Sequence, residues 1–360
     1  MDAESIQRRL AAVHRAMNKR RINCLLVTKP ANVTYATGFL GDDSLAVIIK
    51  GRAYLITDSR YTEQAQKECP ACTIIERSEP LADAVEKVIK KFRNVNTVTV
   101  ENSTSLDLFD RLKKTVDARL KRSENIIEAL RSIKDAGEIA SIEVAARIAA
   151  KALEQTLPYI KTEMTENELA GLLELEIRRL GARISFETIV AFGPNASRAH
   201  HQPSGRKLKN NDTVLIDFGV KYKGYCSDIT RCFAVGRGDK FFEKVFAAVE
   251  QAQAAAIKMV RAGVEISKVD AAARQTLEKS GLPVYGHGTG HGLGIEVHEA
   301  PSINQKSKDT LKAGQVITIE PGVYIPGKIG VRIEDNVLVT QTGCKILTRF
   351  CPHKMKLPSH

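Results

Sequence analysis

The sequence predicts two domains of unequal size: a small α/β domain over residues 1–125, then a larger α+β domain over residues 126–360. Three observations predict this. At 360 residues the chain is longer than one typical core accommodates. Its first third alternates helical and extended patterns. The remainder opens on two long helical patterns and continues as a largely extended region dense in glycine, histidine and acids.

In the first domain Ile6, Leu10, Val13 and Met17 recur at helical spacing, and Ile22 to Val27 is an apolar run expected to be a buried strand. Ser44–Lys50 and Ala53–Asp58, joined at Gly51-Arg52, have the pattern of a β-hairpin. Pro80–Phe92 is expected to be helical, Thr97–Val100 extended and Ser105–Val116 helical. The boundary is expected between Ser123 and Asp135, because Asp135-Ala136-Gly137-Glu138 has the spacing of a capping box. Behind it Ile139, Ile142, Ala146, Ala149 and Leu153 form one apolar stripe. The two helices that follow the boundary should break around Pro158.

Composition narrows the function classes. Hydrophobic residues are 43% and charged residues 27%, enough for a core that needs no staples. The net charge of +12 is spread thin, +7 up to Lys134 and +5 beyond, and the longest basic run is Lys19-Arg20-Arg21. Nucleic-acid arms are blockier, so no nucleic-acid partner is expected. The start, MDAESIQRR, has no apolar core of a signal peptide. The alanine-rich stretch Val245–Val260 carries Glu250 and Lys258 and is too polar to span a bilayer. Seven scattered cysteines fit a reduced, cytoplasmic protein with no membrane partner. Cys69-Pro70-Ala71-Cys72 has the spacing of a metal knuckle or redox pair, but a zinc ribbon needs a second pair and none exists. The P-loop, H-E-x-x-H, G-x-S-x-G and G-x-G-x-x-G motifs are all absent.

Acids inside apolar strands carry the chemistry, because an acid costs most there. Asp217 lies within Val214-Leu215-Ile216-Asp217-Phe218-Gly219. After a turn at Tyr222-Lys223-Gly224, the return strand carries Asp228 in Tyr225-Cys226-Ser227-Asp228-Ile229-Thr230. Glu320 ends the apolar run Val316–Ile319. Glu334 follows Arg332 in Val331-Arg332-Ile333-Glu334-Asp335, where period-2 alternation would put both on one face. Gly286 to Gly294 interleaves glycines with His287 and His291, letting backbone pass close to its neighbours. Four carboxylates and a histidine suit two divalent ions sharing bridging carboxylates. An oxygen-rich set favours Mn²⁺, with Co²⁺, Fe²⁺ and Zn²⁺ as alternatives. Ions roughly 3.5 Å apart support metal-assisted hydrolysis.

These phrases, together with Asn32-Val33-Thr34-Tyr35-Ala36-Thr37-Gly38-Phe39 in the first domain, resemble the signatures of the creatinase/prolidase/aminopeptidase P superfamily of pita-bread metallopeptidases. The resemblance implies a creatinase-like N-terminal domain before a pita-bread catalytic domain. It also implies cleavage of the Xaa-Pro bond at the N-terminus of short proline-containing peptides, and a homodimer. By resemblance Asp217 is a terminal ligand of one metal, Asp228 and Glu334 bridge, and His291 and Glu320 bind the other. Glu320 also shuttles a proton. His298 and His200 resemble substrate-contacting histidines, with His201 the alternative in Ala199-His200-His201. Arg332 resembles a residue that orients a ligand carboxylate, and His287 lines the pocket. The alternatives are an Xaa-Pro dipeptidase (prolidase) and, from another class, a non-catalytic peptide-binding module. The five filled ligand positions argue against the module.

Overall fold

The computed structural model describes residues 3–236, 239–353 and 356–357; Met1 and Asp2 of the charged start lie outside them. The chain divides into two compact units, Met1–Arg131 and Ser132–His360.

The first unit runs α1 (Ala3–Lys19), β1 (Cys24–Val27), α2 (Pro30–Thr37), β2 (Leu45–Ile49), β3 (Arg52–Asp58), α3 (Thr62–Glu68), β4 (Thr73–Arg77), α4 (Leu81–Ile89), β5 (Thr97–Glu101), α5 (Leu106–Thr115), β6 (Arg119–Ser123) and α6 (Ile127–Arg131). Its six strands form one sheet in the order β4-β3-β2-β1-β5-β6. The expected hairpin is present, with Leu45 paired to Ile56 and Ile49 to Arg52. β1 and β2 are buried at every residue, as the central strands of a sheet covered on both faces must be. The predicted stripe of α1 is its buried face. Ser105 caps α5 by accepting from the Leu108 N–H. α6 packs with this unit: Arg131 donates to Asn32 Oδ1 at 2.7 Å, and the Asn32 amide donates to Glu101 and Glu128.

The second unit opens on α7 (Ala136–Thr156). Its capping box is formed as predicted: the Glu138 N–H donates to Asp135 Oδ1 at 2.8 Å and the Asp135 N–H to Glu138 Oε2 at 2.9 Å. The helix stops at Leu157-Pro158 in a short 3₁₀ turn, since proline inside a helix costs about 3 kcal/mol. α8 (Glu166–Arg179) starts on a second capping box, Thr165 with Glu168. Next come β7 (Arg183–Ile184), β8 (Ile189–Phe192), β9 (Thr213–Phe218), β10 (Val220–Tyr222), β11 (Tyr225–Cys226) and β12 (Ile229–Val235). Two helices, α9 (Lys240–Met259) and α10 (Ile266–Lys279), then interrupt the region expected to be extended. The buried face of α9 includes Phe242, Val245, Val249, Ala252 and Ala256 at helical spacing, a stripe partly hidden by the weak hydrophobicity of alanine.

The chain closes with β13 (Gly290–Gly292), β14 (Glu299–Ile303), β15 (Val316–Ile319), β16 (Gly322–Ile325), β17 (Ile329–Arg332), β18 (Asp335–Val339), β19 (Cys344–Ile346) and β20 (Lys356–Leu357). The larger sheets have the orders β20-β12-β9-β8 and β14-β13-β15-β18-β19. Each helix pair builds one core. α7 and α8 bring Leu153 and Leu173 onto Ile216 and Phe233; α9 and α10 bring Val249 and Leu277 onto Ile317 and Val331. Among the described residues no helix is long and apolar enough to cross a membrane. All seven cysteines are free thiols. Burial pushes Cys69 and Cys72 up to about 12, so neither offers a thiolate for redox or metal chemistry at neutral pH.

Candidate active site

One cavity of about 470 Å³ is lined by Asp217, Asp228, Glu320, Glu334, His200, His287, His291, His298 and Arg332. Every candidate residue named from the sequence except His201, the alternative to His200, therefore reaches the same space. Its remaining walls include Phe186, Ile189 and Val297.

Strand register brings the acids together. Asp217 on β9 pairs across to Thr230 on β12, and Asp228 lies two residues before Thr230. The expected return strand is broken at Asp228, between β11 and β12. The backbone is held there by Asn336, which accepts from the Asp228 N–H at 3.2 Å and donates to the Asp228 carbonyl at 2.6 Å. The turn before it is a two-residue connection in which Lys223 and Gly224 have φ of 47° and 88°. Two positive φ angles are the type I′ signature that suits a hairpin's twist.

Glu334 corrects the expectation of one alternating strand. β17 ends at Arg332 and β18 begins at Asp335, so Glu334 sits in the break. β12 satisfies its backbone instead: the Glu334 N–H donates to the Thr230 carbonyl, and Arg231 donates to the Glu334 carbonyl at 2.6 Å. Arg332 and Glu334 meet through the Thr230 hydroxyl, which accepts from Arg332 Nε at 3.0 Å and donates to Glu334 Oε2 at 2.6 Å.

His291 sits on β13, whose glycines are required by close approach. A Cβ on Gly290 would lie 2.0 Å from the Thr318 carbonyl oxygen, and one on Gly292 would lie 2.2 Å from that of Ala300. The His291 ring has Nδ1 at 3.1 Å from the Gly292 carbonyl, which only accepts, so Nδ1 carries the proton. Nε2 faces Glu320 Oε1 at 3.2 Å and Asp228 Oδ2 at 3.6 Å. Asp228, His291 and Glu334 each offer a ligand atom within 4.8 Å of the others.

Such crowding of buried acids shifts their protons. Burial, then repulsion from Asp217, raises Asp228 well above the usual carboxylate range. Burial, then repulsion from Asp228 and Glu320, does the same to Glu334. Burial also raises Asp217, against the pull of Arg332. Burial opposes the charge on Glu320, but the hydrogen bond and charge of His291 outweigh it and hold Glu320 at about 2. Burial likewise opposes the His291 charge, and Glu320 outweighs it, pushing His291 up to about 9. The anions repel one another unless protons or cations lie between them.

The other histidines differ in their surroundings. His287 donates from Nδ1 to the Gly288 carbonyl at 2.7 Å, and its Nε2 accepts from the Tyr324 hydroxyl at 3.1 Å. Burial holds it below its ordinary value. His298 is exposed at the cavity and stands edge-on to His291, ring centroids 4.3 Å apart. His200 lines the cavity, whereas His201 is buried and bonded to Glu166. Thr230 and Tyr324 were missed as site residues, although Thr230 ends the run that carries Asp228 and Tyr324 lies four residues after Glu320.

The donor set fits divalent cations. Asp217 Oδ1 and Glu334 Oε1 are buried with no hydrogen-bond partner among the described residues, and orphaned buried acceptors cost free energy unless a cation or donor meets them. Their partner oxygens are each oriented, by Arg332 at 2.6 Å and Thr230 at 2.6 Å. Carboxylates held from behind and bare in front are characteristic of metal ligands.

Residues 140–341 match metallopeptidase family M24, and residues 9–133 match the creatinase/prolidase N-terminal domain. The chain belongs to metallopeptidase family M24. Like other members of the creatinase/prolidase/aminopeptidase P group, this M24 chain carries the creatinase-type domain ahead of a pita-bread catalytic domain, and membership implies divalent metal ions. It is 38% identical over 330 residues to the uncharacterized peptidase YqhT of Bacillus subtilis, covering 91% of this chain and 94% of that one. Among solved structures it resembles an Xaa-Pro dipeptidase from Bacillus anthracis (34% identity, TM-score 0.92, 98% and 99% of the two chains covered). It is also similar to an X-Pro aminopeptidase from Thermotoga maritima (34%, 0.89, 96% and 99%) and a prolidase from Pyrococcus furiosus (32%, 0.85, 93% and 98%). This M24 peptidase thus resembles Xaa-Pro peptidases of both substrate lengths.

Proposed function

We propose that the protein is an Xaa-Pro aminopeptidase that uses two Mn²⁺ ions to release the N-terminal residue from peptides with proline second. The observation that carries the metal reading is the pair of bare carboxylate oxygens, Asp217 Oδ1 and Glu334 Oε1, facing a cavity walled by two further acids and His291. In this reading Asp217, Asp228, His291, Glu320 and Glu334 would hold the ions. When bound, divalent cations supply Lewis-acid activation of water and of the scissile carbonyl.

The chain's own residues perform the remaining tasks. Glu320 takes the proton of the attacking water and delivers it to the departing proline nitrogen. His298, edge-on to His291 at the cavity, stabilises the developing oxyanion together with His200. Arg332 keeps Asp217 turned toward the cavity. Phe186, Ile189 and Val297 offer apolar surface to the proline ring. A site built this way needs no N–H from the substrate bond, which an Xaa-Pro peptide lacks.

The cations available at the cavity support the choice of substrate length. A dipeptide presents a carboxylate directly after proline. Among the described residues lining the cavity, Arg332 is the one arginine or lysine. It is 3% exposed and already donates to Asp217, Thr230, Tyr324 and the Ala199 carbonyl. That favours longer peptides over dipeptides. The test is a comparison of kcat/KM on Gly-Pro and on Gly-Pro-Xaa tripeptides with Mn²⁺-loaded protein. A tripeptide preference of about tenfold or more supports the reading, and a dipeptide preference makes the protein a prolidase.

A further inference from the structure

The side chain of Glu166, the first residue of α8, is fully buried although it bears a carboxylate. Its place in the first helical turn favours negative charge, and five donors converge on it. Oε1 accepts from the Phe192 N–H and from the Asn195 amide, both at 2.8 Å. Oε2 accepts from the Ser204 N–H at 3.0 Å and from the Ser204 hydroxyl, and lies 2.8 Å from His201 Nε2. Burial opposes the charge, but His201, Ser204 and the other donors hold Glu166 below the usual carboxylate range.

These donors come from both ends of a single connection. Phe192 ends β8, Asn195 lies in the 3₁₀ turn after it, and His201 and Ser204 lie on the return. Within the connection, Ala199 and His200 are the residues that reach the cavity. The backbone turns just there, the His201 N–H donating to the Arg198 carbonyl at 3.1 Å. Arg332 Nη1 lies 3.4 Å from the Ala199 carbonyl. A chain segment anchored on one side by a buried carboxylate presents its remaining side chains on the other.

We propose that Glu166 is a positioning residue: it gathers both ends of the 192–204 connection on one carboxylate, using His201 as an anchor so that His200 is the histidine offered to the cavity. Its effect on catalysis rests on the reading of His200 as a substrate-contacting residue. No metal ligand is touched by Glu166, so its removal should leave the metal centre filled.

Glu166→Gln keeps the side chain's shape, and His201→Asn tests the anchor separately; thermal melts verify that both variants fold. On an Xaa-Pro-Xaa tripeptide, Glu166→Gln should lower kcat about tenfold or more with KM changed less than about threefold, and metal content by mass spectrometry should match wild type. In a His200→Ala background the same change should cost less than about twofold, because nothing remains to be positioned. Trypsin cleavage after the exposed Arg198 should accelerate about tenfold in Glu166→Gln and His201→Asn, and not in His200→Ala. Equal kcat losses in both backgrounds, or wild-type trypsin rates in Glu166→Gln, would overturn the proposal. If His200→Ala keeps full activity while Glu166→Gln still opens to trypsin, the clamp stands and the catalytic reading of His200 falls.

Discussion

The guanidinium of Arg332 donates to Asp217 Oδ2 at 2.6 Å, while the other oxygen of the same carboxylate is buried with no partner among the described residues. One half of the group is fixed by the protein and the other half is bare, the half that would meet a cation in the proposed function. Arg332 also donates to Thr230 and Tyr324, so a single planar fork orients three groups around the cavity.

Arg332→Lys should therefore be a severe change although charge is kept. A lysine ammonium cannot serve Asp217, Thr230 and Tyr324 together. The expected loss is about 10- to 100-fold in metal affinity or activity, measured by titrating Mn²⁺ into metal-free protein. Arg332→Met should also lower stability by about 3–5 kcal/mol, because it strands a buried carboxylate.

Asp228→Asn and Glu334→Gln should act in opposite directions on the metal-free and metal-loaded protein. Burial and mutual repulsion hold both carboxyls well above their usual range. At neutral pH their ionised forms thus cost more in the folded chain than in the unfolded one, and an amide removes that cost. Melting temperature without metal should rise. Wild type should gain about 2.7 kcal/mol of stability at a metal concentration 100 times Kd, and the variants should lose most of that gain. Paired melts with and without Mn²⁺ measure both effects.

Gly290→Ala and Gly286→Ala form a matched pair. The first would drive a Cβ to 2.0 Å from the Thr318 carbonyl oxygen, and the second meets nothing within 4 Å. Gly290→Ala should destabilise by about 1–3 kcal/mol or more through forced backbone shift. Gly286→Ala should stay within about 0.5 kcal/mol of wild type. Chemical denaturation of the two variants decides it.

The Glu166 clamp predicts a pH dependence with a definite sign. Its folded-state value is depressed below the ordinary 4.5. The stabilisation is then fully present above about pH 4.5 and is lost as pH falls through the lower folded value. Glu166→Gln should be less stable than wild type by about 1–3 kcal/mol at neutral pH, from weakened hydrogen bonds to a buried charge. The gap should narrow as pH drops below about 4.5, measured by urea unfolding at a series of pH values.

Much of the site was legible because an acid in an apolar strand, or a histidine among glycines, is anomalous in one dimension. Asp217, Asp228, His291, Glu320 and Glu334 could be named that way, as could the hairpin of β2 and β3 and the capping box at Asp135. What escaped depends on contacts between distant segments. The breaks at Asp228 and Glu334 exist because Asn336 and Thr230 take over the backbone bonds there. Glu166 is an ordinary glutamate after a capping threonine until β8 and the 192–204 connection close over it. The helix α9 was hidden because four of its eight buried residues are weakly hydrophobic or polar: Ala248, Ala252, Gln253 and Ala256.

In the proposed function this cavity hydrolyses Xaa-Pro bonds with divalent ions held by the five named residues. The most direct test is the rate of N-terminal residue release from a Gly-Pro-Xaa tripeptide as Mn²⁺ is added to chelator-treated protein, with Asp217→Asn beside wild type. Activity should rise from near zero and saturate at about two ions per chain, and Asp217→Asn should stay about 10³-fold or more below wild type. Full hydrolysis before any metal is added, or full activity in Asp217→Asn, would contradict the account.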